Sequence, residues 1–133
     1  MGTLRAVAGH VSEQAEALKT RTKRFALAIF ELMRLLPPSE PGTTIKRQLA
    51  KSATSVPANY RAACRARSHA EFTARISVVA EEADEVEFWL ELIAEAKLVG
   101  EAQVLNLRRE SRELVAIFSA AVGTARSKER SRS

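Results

Sequence analysis

The amino-acid sequence predicts an all-α protein, folded as an antiparallel up-down-up-down four-helix bundle. Two observations lead to this fold class. Apolar residues recur at spacings of three and four along four long segments, and no segment shows the period-two alternation that is typical of a strand. The connections between the segments are short, which makes consecutive helices antiparallel neighbours. A chain of 133 residues is long enough for one such domain with a modest core.

The first predicted helix covers about residues 13–36 and carries an apolar stripe on one face. Residues 1–12 show no such stripe, so we expect a flexible N-terminus there. Pro37 ends the helix, because proline cannot continue the hydrogen-bond ladder. After a short loop, Thr43 or Thr44 is the expected N-cap of the second helix.

The second helix contains Pro57, which removes one backbone donor and predicts a bend of more than about 20° in the turn before it. Ser52 and Ser55 are expected to donate hydrogen bonds back to carbonyl groups of that turn and so ease the distortion. The helix is expected to end at the basic turn formed by residues 65–67.

The third helix is expected to begin near Ser68, because Ser68 and Glu71 have the spacing of a capping box. We expect it to be the longest and most acidic of the four and to end near residue 98. Gly100 then supplies the left-handed backbone position that commonly follows a helix.

The fourth helix is expected to start near Glu101 and to end before Gly123. The four-helix bundle is therefore predicted to span residues 13–123. Residues 124–133 are rich in cations and poor in apolar side chains, so we expect a disordered basic tail there.

The composition excludes several classes of protein. A single Cys64 cannot form an intrachain disulfide, and within an alanine-rich stretch it is predicted to be a small buried apolar side chain. No apolar segment approaches the roughly 20 residues that a membrane-spanning helix needs, and residues 1–12 lack the apolar core of a signal peptide. We therefore expect a cytoplasmic protein without a membrane partner.

The sequence offers little that could support catalysis. Neither His10 nor His69 stands in a recognisable nucleophile pattern with Cys64. No Glu-x-x-His pair and no glycine-rich phosphate loop occurs, which argues against a di-iron bundle and a nucleotide site. We predict no enzymatic activity, no cofactor and no metal site.

Charge is divided unevenly along the chain. Residues 1–67 contain 12 Lys or Arg and 4 acids, whereas residues 68–133 contain 9 Lys or Arg and 12 acids. One interpretation is that basic helices pack beside an acidic helix. The other is that the first half presents a positive surface to nucleic acid or to an acidic partner.

Two groups of cations are candidates for contact with phosphates, and no aromatic residue stands among them for base stacking. The first group, at the end of the second helix, consists of Arg61, Arg65 and Arg67. The second group, in the first helix, consists of Lys19, Arg21, Lys23 and Arg24. The alternative role of the first group is structural, through favourable interaction with a helix C-terminus and salt bridges to residues such as Glu71.

Glu82 lies on the core-facing edge of the third helix, where an unpaired carboxylate would be costly. An antiparallel hairpin brings it level with residues 52–55, whose hydroxyls could satisfy it, so we favour a structural polar layer over a general base. The predicted polar layer consists of Ser52, Ser55, Asn59 and Glu82.

Two neighbouring aromatic residues, Phe88 and Trp89, predict self-association. Adjacent residues differ by about 100° around a helix, so both rings cannot face the core of one bundle. One of the two rings is therefore expected to lie at an interface between subunits.

The segment from about residue 45 to residue 100 resembles a known bacterial family. The residues that carry the resemblance are Ser52, Ser55-Val56-Pro57, Asn59, Arg65 to Arg67, Ser68, Glu71-Phe72, Glu85 and Glu87. They match four-helix-bundle proteins first noted as open reading frames inside intervening sequences of large-subunit ribosomal RNA genes. The chain departs from many relatives at Ala62-Ala63, where they have Glu-Gly, and at Glu81-Glu82, where they have Gly-Ser.

The resemblance implies a four-helix bundle that forms a homopentamer. A related group, the accessory variability determinant of diversity-generating retroelements, binds a reverse transcriptase and nucleic acid. The expected function is therefore a non-enzymatic oligomeric module that binds RNA, DNA or a nucleic-acid enzyme such as a reverse transcriptase. The alternative is a structural protein–protein interaction module that binds no nucleic acid.

Overall fold

The fold is an all-α bundle of four helices. The computed structural model describes the backbone of residues 2–132 and the side chains of residues 13–131. The helices are α1 (Gly2–Met33), α2 (Gly42–Cys64), α3 (His69–Glu95) and α4 (Glu101–Arg132). No strand occurs within residues 2–132, so the predicted fold class is confirmed.

The helices are arranged around a square. Each helix packs against the next one along the chain, and α1 also touches α4, whereas diagonal pairs stay apart along the described backbone. The His69 ring at the start of α3 bonds the Ala125 carbonyl near the end of α4, while Glu87 further along α3 meets Arg112. Residue numbers thus rise along α3 as they fall along α4, as the up-down-up-down topology requires.

The core is built from aliphatic side chains that recur every three or four residues on each helix. On α2 the predicted stripe is buried throughout: Ile45, Leu49, Ala53, Val56, Tyr60 and Ala63. Tyr60 reaches across the bundle to Phe118 of α4, with ring centroids 5.4 Å apart. Burying each large aliphatic side chain contributes about 1.5–3 kcal/mol, so this shared core is what holds the four helices together.

The connection between α1 and α2 is tighter than the sequence suggested. A Cβ atom on Gly42 would overlap the carbonyl oxygen of Pro37, so the close approach of the two segments requires glycine. Pro41 occupies the N-cap position of α2 and supplies no side-chain hydrogen bond. The predicted N-cap at Thr43 or Thr44 is therefore wrong, and the Thr44 hydroxyl donates instead to the Glu40 carboxylate.

The connection between α2 and α3 confirms the capping box. The Ser68 hydroxyl accepts a hydrogen bond from the backbone N–H of Glu71 at 3.0 Å. The Glu71 carboxylate reaches back and accepts from the backbone N–H of Arg67, also at 3.0 Å. Two donors at the start of α3 are thereby satisfied, which fixes the place where the chain reverses.

Helix α3 differs from the prediction in its length and in its end. With 27 residues it is shorter than α1 and α4, which have 32 each, so the prediction that it is the longest helix is wrong. Helix α3 ends at Glu95, and the residue with a left-handed backbone is Lys97, with φ 54°, rather than Gly100. Gly100 instead donates its N–H to the side-chain oxygen of Gln103 at 2.8 Å and lies just before α4. Its place in the sequence marks the loop correctly, but its predicted conformation is wrong.

Both chain ends are helical over the described backbone. Helix α1 begins at Gly2 and α4 continues to Arg132, so helix covers segments that the composition assigned to a flexible N-terminus and a disordered tail. At the start of that tail Ala125 is buried, because α4 continues its apolar stripe past residue 123. The division into domains stays a prediction, and side chains of residues 1–12 lie outside the described part.

Pro57 lies inside α2, and the hydroxyl groups near it are used differently from the prediction. Thr54 donates back to the Ala50 carbonyl at 2.8 Å, whereas the buried Ser52 hydroxyl has no partner with hydrogen-bond geometry. The Ser55 hydroxyl accepts from Asn59 at 2.8 Å. The predicted back-bonding by Ser52 is therefore wrong, and the bend at Pro57 stays a prediction.

None of the helices, over the part of the chain that is described, has both the length and the apolar composition needed to cross a membrane.

Candidate functional site

A strongly basic surface lies on α2 and the neighbouring side of α1. Residues 42–67 contain six Lys or Arg residues and no Asp or Glu. We call this surface the basic face and define it by Lys19, Lys23, Arg47, Lys51, Arg61, Arg65 and Arg67. Six of these side chains are exposed and Lys19 is partly exposed, so their charges meet solvent.

One row of the basic face follows the exposed side of α2. Positions 47, 51, 54, 58, 61 and 65 recur at spacings of four and three, which places them on one side of the helix. The row extends for about 27 Å at about 1.5 Å per residue. Between the two pairs of cations lie Thr54 and Ala58, which are exposed and uncharged.

The three arginines at the end of α2 come together as predicted. Arg61, Arg65 and Arg67 line one open depression of about 430 Å³, together with Glu71. The Glu71 carboxylate is engaged with the backbone N–H of Arg67. No ion pair holds the three guanidinium groups within the described side chains, so they remain available to an external anion.

The structure joins part of the second predicted group to the first. Lys19 and Lys23 of α1 line a depression of about 310 Å³ with Arg61 and Pro57 of α2. Lys19 also pairs with Glu16 one turn earlier, at 2.5 Å. Cations from two helices therefore share one surface, which sequence spacing alone did not show.

The other two cations of that group lie on a different side of α1. The Arg21 guanidinium donates to both carboxylate oxygens of Glu110, at 2.8 and 2.6 Å, and to Glu113 at 2.7 Å. Arg24 lines an open groove of about 710 Å³ between α1 and α4, beside Leu107. Their assignment to nucleic-acid binding stays a prediction, but both residues are outside the basic face.

The Arg21 cluster shifts the titration of its members in opposite directions. The hydrogen bond from Arg21 is the main reason that the pKa of Glu110 lies below its usual range. In return, the hydrogen bond to Glu110 raises the pKa of Arg21 further above neutrality. Both shifts favour the charged forms, so Arg21 connects α1 to α4 as an ion pair at neutral pH.

The four residues of the predicted polar layer form two separate pairs. Asn59 donates to the carbonyl and the hydroxyl of Ser55, all within α2. Ser52 faces Glu82 across α2 and α3, and burial is the main reason that the pKa of Glu82 is raised, followed by the charge of Glu85. The Ser52 hydroxyl opposes this shift, although Ser52 Oγ and Glu82 Oε2 are both buried without a well-formed hydrogen bond.

Cys64 is exposed, so the prediction that it is buried is wrong. Its neighbour Ala63 occupies the core-facing position, and one residue further along α2 the side chain turns outward by about 100°. Tyr60 lies one turn earlier and is buried, and this burial, followed by the charge of Cys64, raises the pKa of Tyr60. The side chains described here contain no group of three or more residues suited to holding a metal ion.

The comparison with known proteins identifies the family. A sequence model of the 23S rRNA-intervening sequence protein matches residues 16–120, which include parts of all four helices. The chain belongs to the 23S rRNA-intervening sequence protein family. The resemblance seen in the sequence is thereby confirmed, whereas the relation to the accessory variability determinant stays a resemblance.

A solved structure supports the same family. It is the crystal structure of a protein with unknown function from the S23 ribosomal protein family of Bacteroides thetaiotaomicron VPI-5482. The two chains are 28% identical and superpose with a TM-score of 0.72, covering 78% of this chain and 96% of that chain. No curated protein matches this member of the family.

The two adjacent rings of this member of the 23S rRNA-intervening sequence protein family face different environments. Trp89 packs against the core and donates its indole N–H to Glu85 at 3.3 Å, whereas Phe88 is 49% exposed. The rings meet edge to face with centroids 5.1 Å apart. Only Trp89 therefore packs against the core of the bundle, and the role of either ring at a subunit interface stays a prediction.

Arg47 and Lys51 are members of the basic face that the sequence reasoning missed. The sequence contains a signal that could have found them. They share the exposed stripe of Arg61 and Arg65 at helical spacing, and no acid interrupts that stripe between residues 42 and 67. The cations of this row are spread over several helical turns, so they do not form a close cluster in the sequence.

Proposed function

We propose that this protein is a non-enzymatic, oligomeric helical module that binds nucleic acid through its basic face. The observation that supports the proposal best is the unneutralised row of cations on α2, in a segment that contains no acidic residue. A row of this kind raises the local concentration of polyanions and steers them to the surface.

Phosphate groups are the ligands that fit these side chains. Guanidinium groups such as those of Arg61 and Arg65 donate paired hydrogen bonds that match the geometry of a phosphate. The one aromatic residue of α2, Tyr60, is buried against Phe118 and cannot stack on a base. The proposed contacts are therefore with the sugar–phosphate backbone and carry little sequence preference.

Self-association is part of the proposal. The family resemblance implies a homopentamer, and the exposed ring of Phe88 provides an apolar surface on α3 for a neighbouring subunit. A ring of subunits would repeat the basic face around its axis and convert a weak site into an avid one. We propose a cytoplasmic protein that holds nucleic acid either alone or together with a nucleic-acid enzyme such as a reverse transcriptase.

The salt dependence of binding tests the proposal. The test variant changes Arg61, Arg65 and Arg67 together to Gln. A matched control changes Arg75, Lys97 and Arg109 to Gln, three exposed cations on α3, α4 and the loop between them. The slope of log K against log salt is negative, and each lost phosphate contact reduces its magnitude by about 0.9 on a duplex. The test variant should therefore reduce the magnitude by about 2.7. The control variant should leave the slope unchanged.

The C-terminal cations need a separate control. Arg126, Lys128, Arg130 and Arg132 are changed to Gln in the wild type and in both variants, so that attraction to the C-terminal cations cannot mask the basic face. Circular dichroism checks that helix content is retained. If the wild type fails to retain nucleic acid at low salt, or the Arg-to-Gln triple binds like the wild type, the protein–protein interaction module becomes the better account.

A further inference from the structure

The cations of the basic face are spread over two helices rather than along a single line. The α2 row ends in Arg61 and Arg65. Lys19 and Lys23 of α1 line a depression with Arg61. The one acid there, Glu16, pairs with Lys19 and leaves Lys23 and Arg61 without a counter-ion among the described side chains. Packed helix axes lie about 8–10 Å apart. The surface thus presents cations from two neighbouring helices side by side, in two rows that follow the helix axes.

We infer that the basic face takes double-stranded nucleic acid, with one row of cations on the phosphates of each strand. This inference rests on the proposed function and names its substrate class. A single strand presents one line of phosphates and would leave one row unused. A duplex presents two lines that border a groove, and the long side chains of both rows reach them together.

The shape of the basic face supports a duplex. It is the outward surface of two packed helices, and the two depressions that hold its arginines are small, at about 310 and 430 Å³. Proteins that hold single strands combine a groove that follows the backbone with aromatic rings for stacking. No aromatic side chain of α2 is exposed, since its single ring, Tyr60, is buried.

The uncharged middle of the α2 row also fits a backbone reader. Thr54 donates its hydroxyl to the carbonyl groups of Ala50 and Lys51, at 2.8 and 3.2 Å, so that donor is occupied within the helix. Ala58 offers only a methyl group. Between Lys51 and Arg61, about 15 Å apart along the axis, the row therefore presents no free donor to base edges. Recognition falls to the charges at the two ends, which contact phosphates.

Fluorescence anisotropy at several salt concentrations tests the inference on the full-length chain. The probes are a labelled 20-base-pair duplex of RNA, the same duplex in DNA, and the corresponding single strands. At equal low salt, at least one duplex should bind about tenfold or more tightly than its own single strand. The tighter of the two duplexes identifies the helical form.

Removing the α1 row gives a sharper readout. Changing Lys19 and Lys23 to Gln should reduce the magnitude of the salt slope for the duplex by about 1.8. The salt slope for the single strand should stay unchanged. The matched control changes Arg75 and Arg109 to Gln, which removes the same charge from α3 and α4. The control should leave both slopes as they are in the wild type.

The outcomes separate this inference from the proposed function. Single strands that bind as tightly as both duplexes would overturn the duplex inference and leave nucleic-acid binding intact. A loss of single-strand affinity on changing Phe30 to Ala would do the same, because Phe30 is a 37% exposed ring of α1 that could stack on a base. Failure of every probe to bind at low salt would overturn the proposed function itself.

Discussion

The seam between α1 and α4 and the face shared by α1 and α2 both carry cations of α1, yet the cations differ in what they meet. Arg21 and Lys23 are only two residues apart, but two residues turn a helix by about 200°, so their side chains leave on opposite sides. Arg21 meets the carboxylates of Glu110 and Glu113, whereas Lys23 lines a depression together with Arg61. The helix that packs beside a cation of α1 thus decides whether the cation forms an ion pair between helices or stays exposed to solvent.

The energetic consequences of the two regions are opposite. At the α1–α4 seam, paired charges add a specific link where the two helices otherwise pack loosely around an open groove. On the basic face, like charges stand together and repel, at a small cost in stability that solvent and salt reduce. The proposed binding of a polyanion would relieve this repulsion.

The largest effect should come from breaking the seam. Changing Arg21 to Met should lower the free energy of unfolding by about 1–2 kcal/mol at low salt, with the partial exposure of the ion pair keeping the loss at this level. Urea denaturation at a fixed protein concentration measures the change. The control is Lys23 to Met, which should stay within about 0.5 kcal/mol. Equal losses in the two variants would erase the distinction between the regions.

The same seam should respond to acid. Since Arg21 lowers the pKa of Glu110 in the folded state, the pair stabilises the fold above the usual glutamate range. This contribution is lost as the pH falls through the folded-state pKa of Glu110. The difference in unfolding free energy between wild type and the Arg21-to-Met variant should therefore shrink from about pH 7 to about pH 3. A difference that stays constant over this range would contradict the assignment of the pair.

The fold could be predicted because its determinants are local. The apolar spacing on α2 and the Ser68–Glu71 capping box depend on residues close in sequence, and both are confirmed. One error arose where a contact is made by a residue outside the local pattern. Gly42 is required by the approach of Pro37. The error at Cys64 is different, because its exposure follows from the local pattern: Ala63 takes the core position, and the next residue of the helix turns outward.

The candidate site could be predicted only in part. The clustering of Arg61, Arg65 and Arg67 follows from their spacing, and the structure brings them into one depression. Lys23 lies near this arginine cluster and Arg21 does not, because different helices pack beside the two residues. Sequence periodicity does not show which helix lies on which side of α1. Nothing in the sequence near Arg21 shows that its partners lie on α4.

A smaller effect on the free energy of unfolding is expected from Glu82, a carboxylate at the contact between α2 and α3. Burial raises the pKa of Glu82, so its ionisation costs stability in the fold. For a raised pKa the favourable contribution is present below the usual glutamate range and lost as the pH rises through the folded-state value. Glu82 to Gln should therefore raise the unfolding free energy by about 0.5–1 kcal/mol at neutral pH, and the gain should vanish in acid.

The outcome for Glu82 is checked by comparing urea denaturation of the variant and the wild type at neutral and acidic pH. A matched control is Glu81 to Gln, one residue away and exposed, which should change stability by less than about 0.5 kcal/mol. A loss of stability in the Glu82 variant at neutral pH would mean that its ionised form is required by the fold.

The smallest effect should come from the basic face itself. Changing Arg61 to Gln relieves repulsion with Lys19 and Lys23, so the unfolding free energy should rise by about 0.3 kcal/mol at low salt. High salt should remove this gain, because the charges are exposed and screened. A clear loss of stability would instead assign Arg61 to the fold, as for Arg21.

The most direct test compares single substitutions from the two regions in one binding measurement. The salt dependence of affinity for a nucleic-acid duplex is measured for Arg21 to Gln and for Arg61 to Gln. The Arg61 variant should reduce the magnitude of the slope of log K against log salt by about 0.9, and the Arg21 variant should leave the slope unchanged. A lowered slope for Arg21 with none for Arg61 would contradict the claim that unpaired cations on the α1–α2 side are the ones that bind.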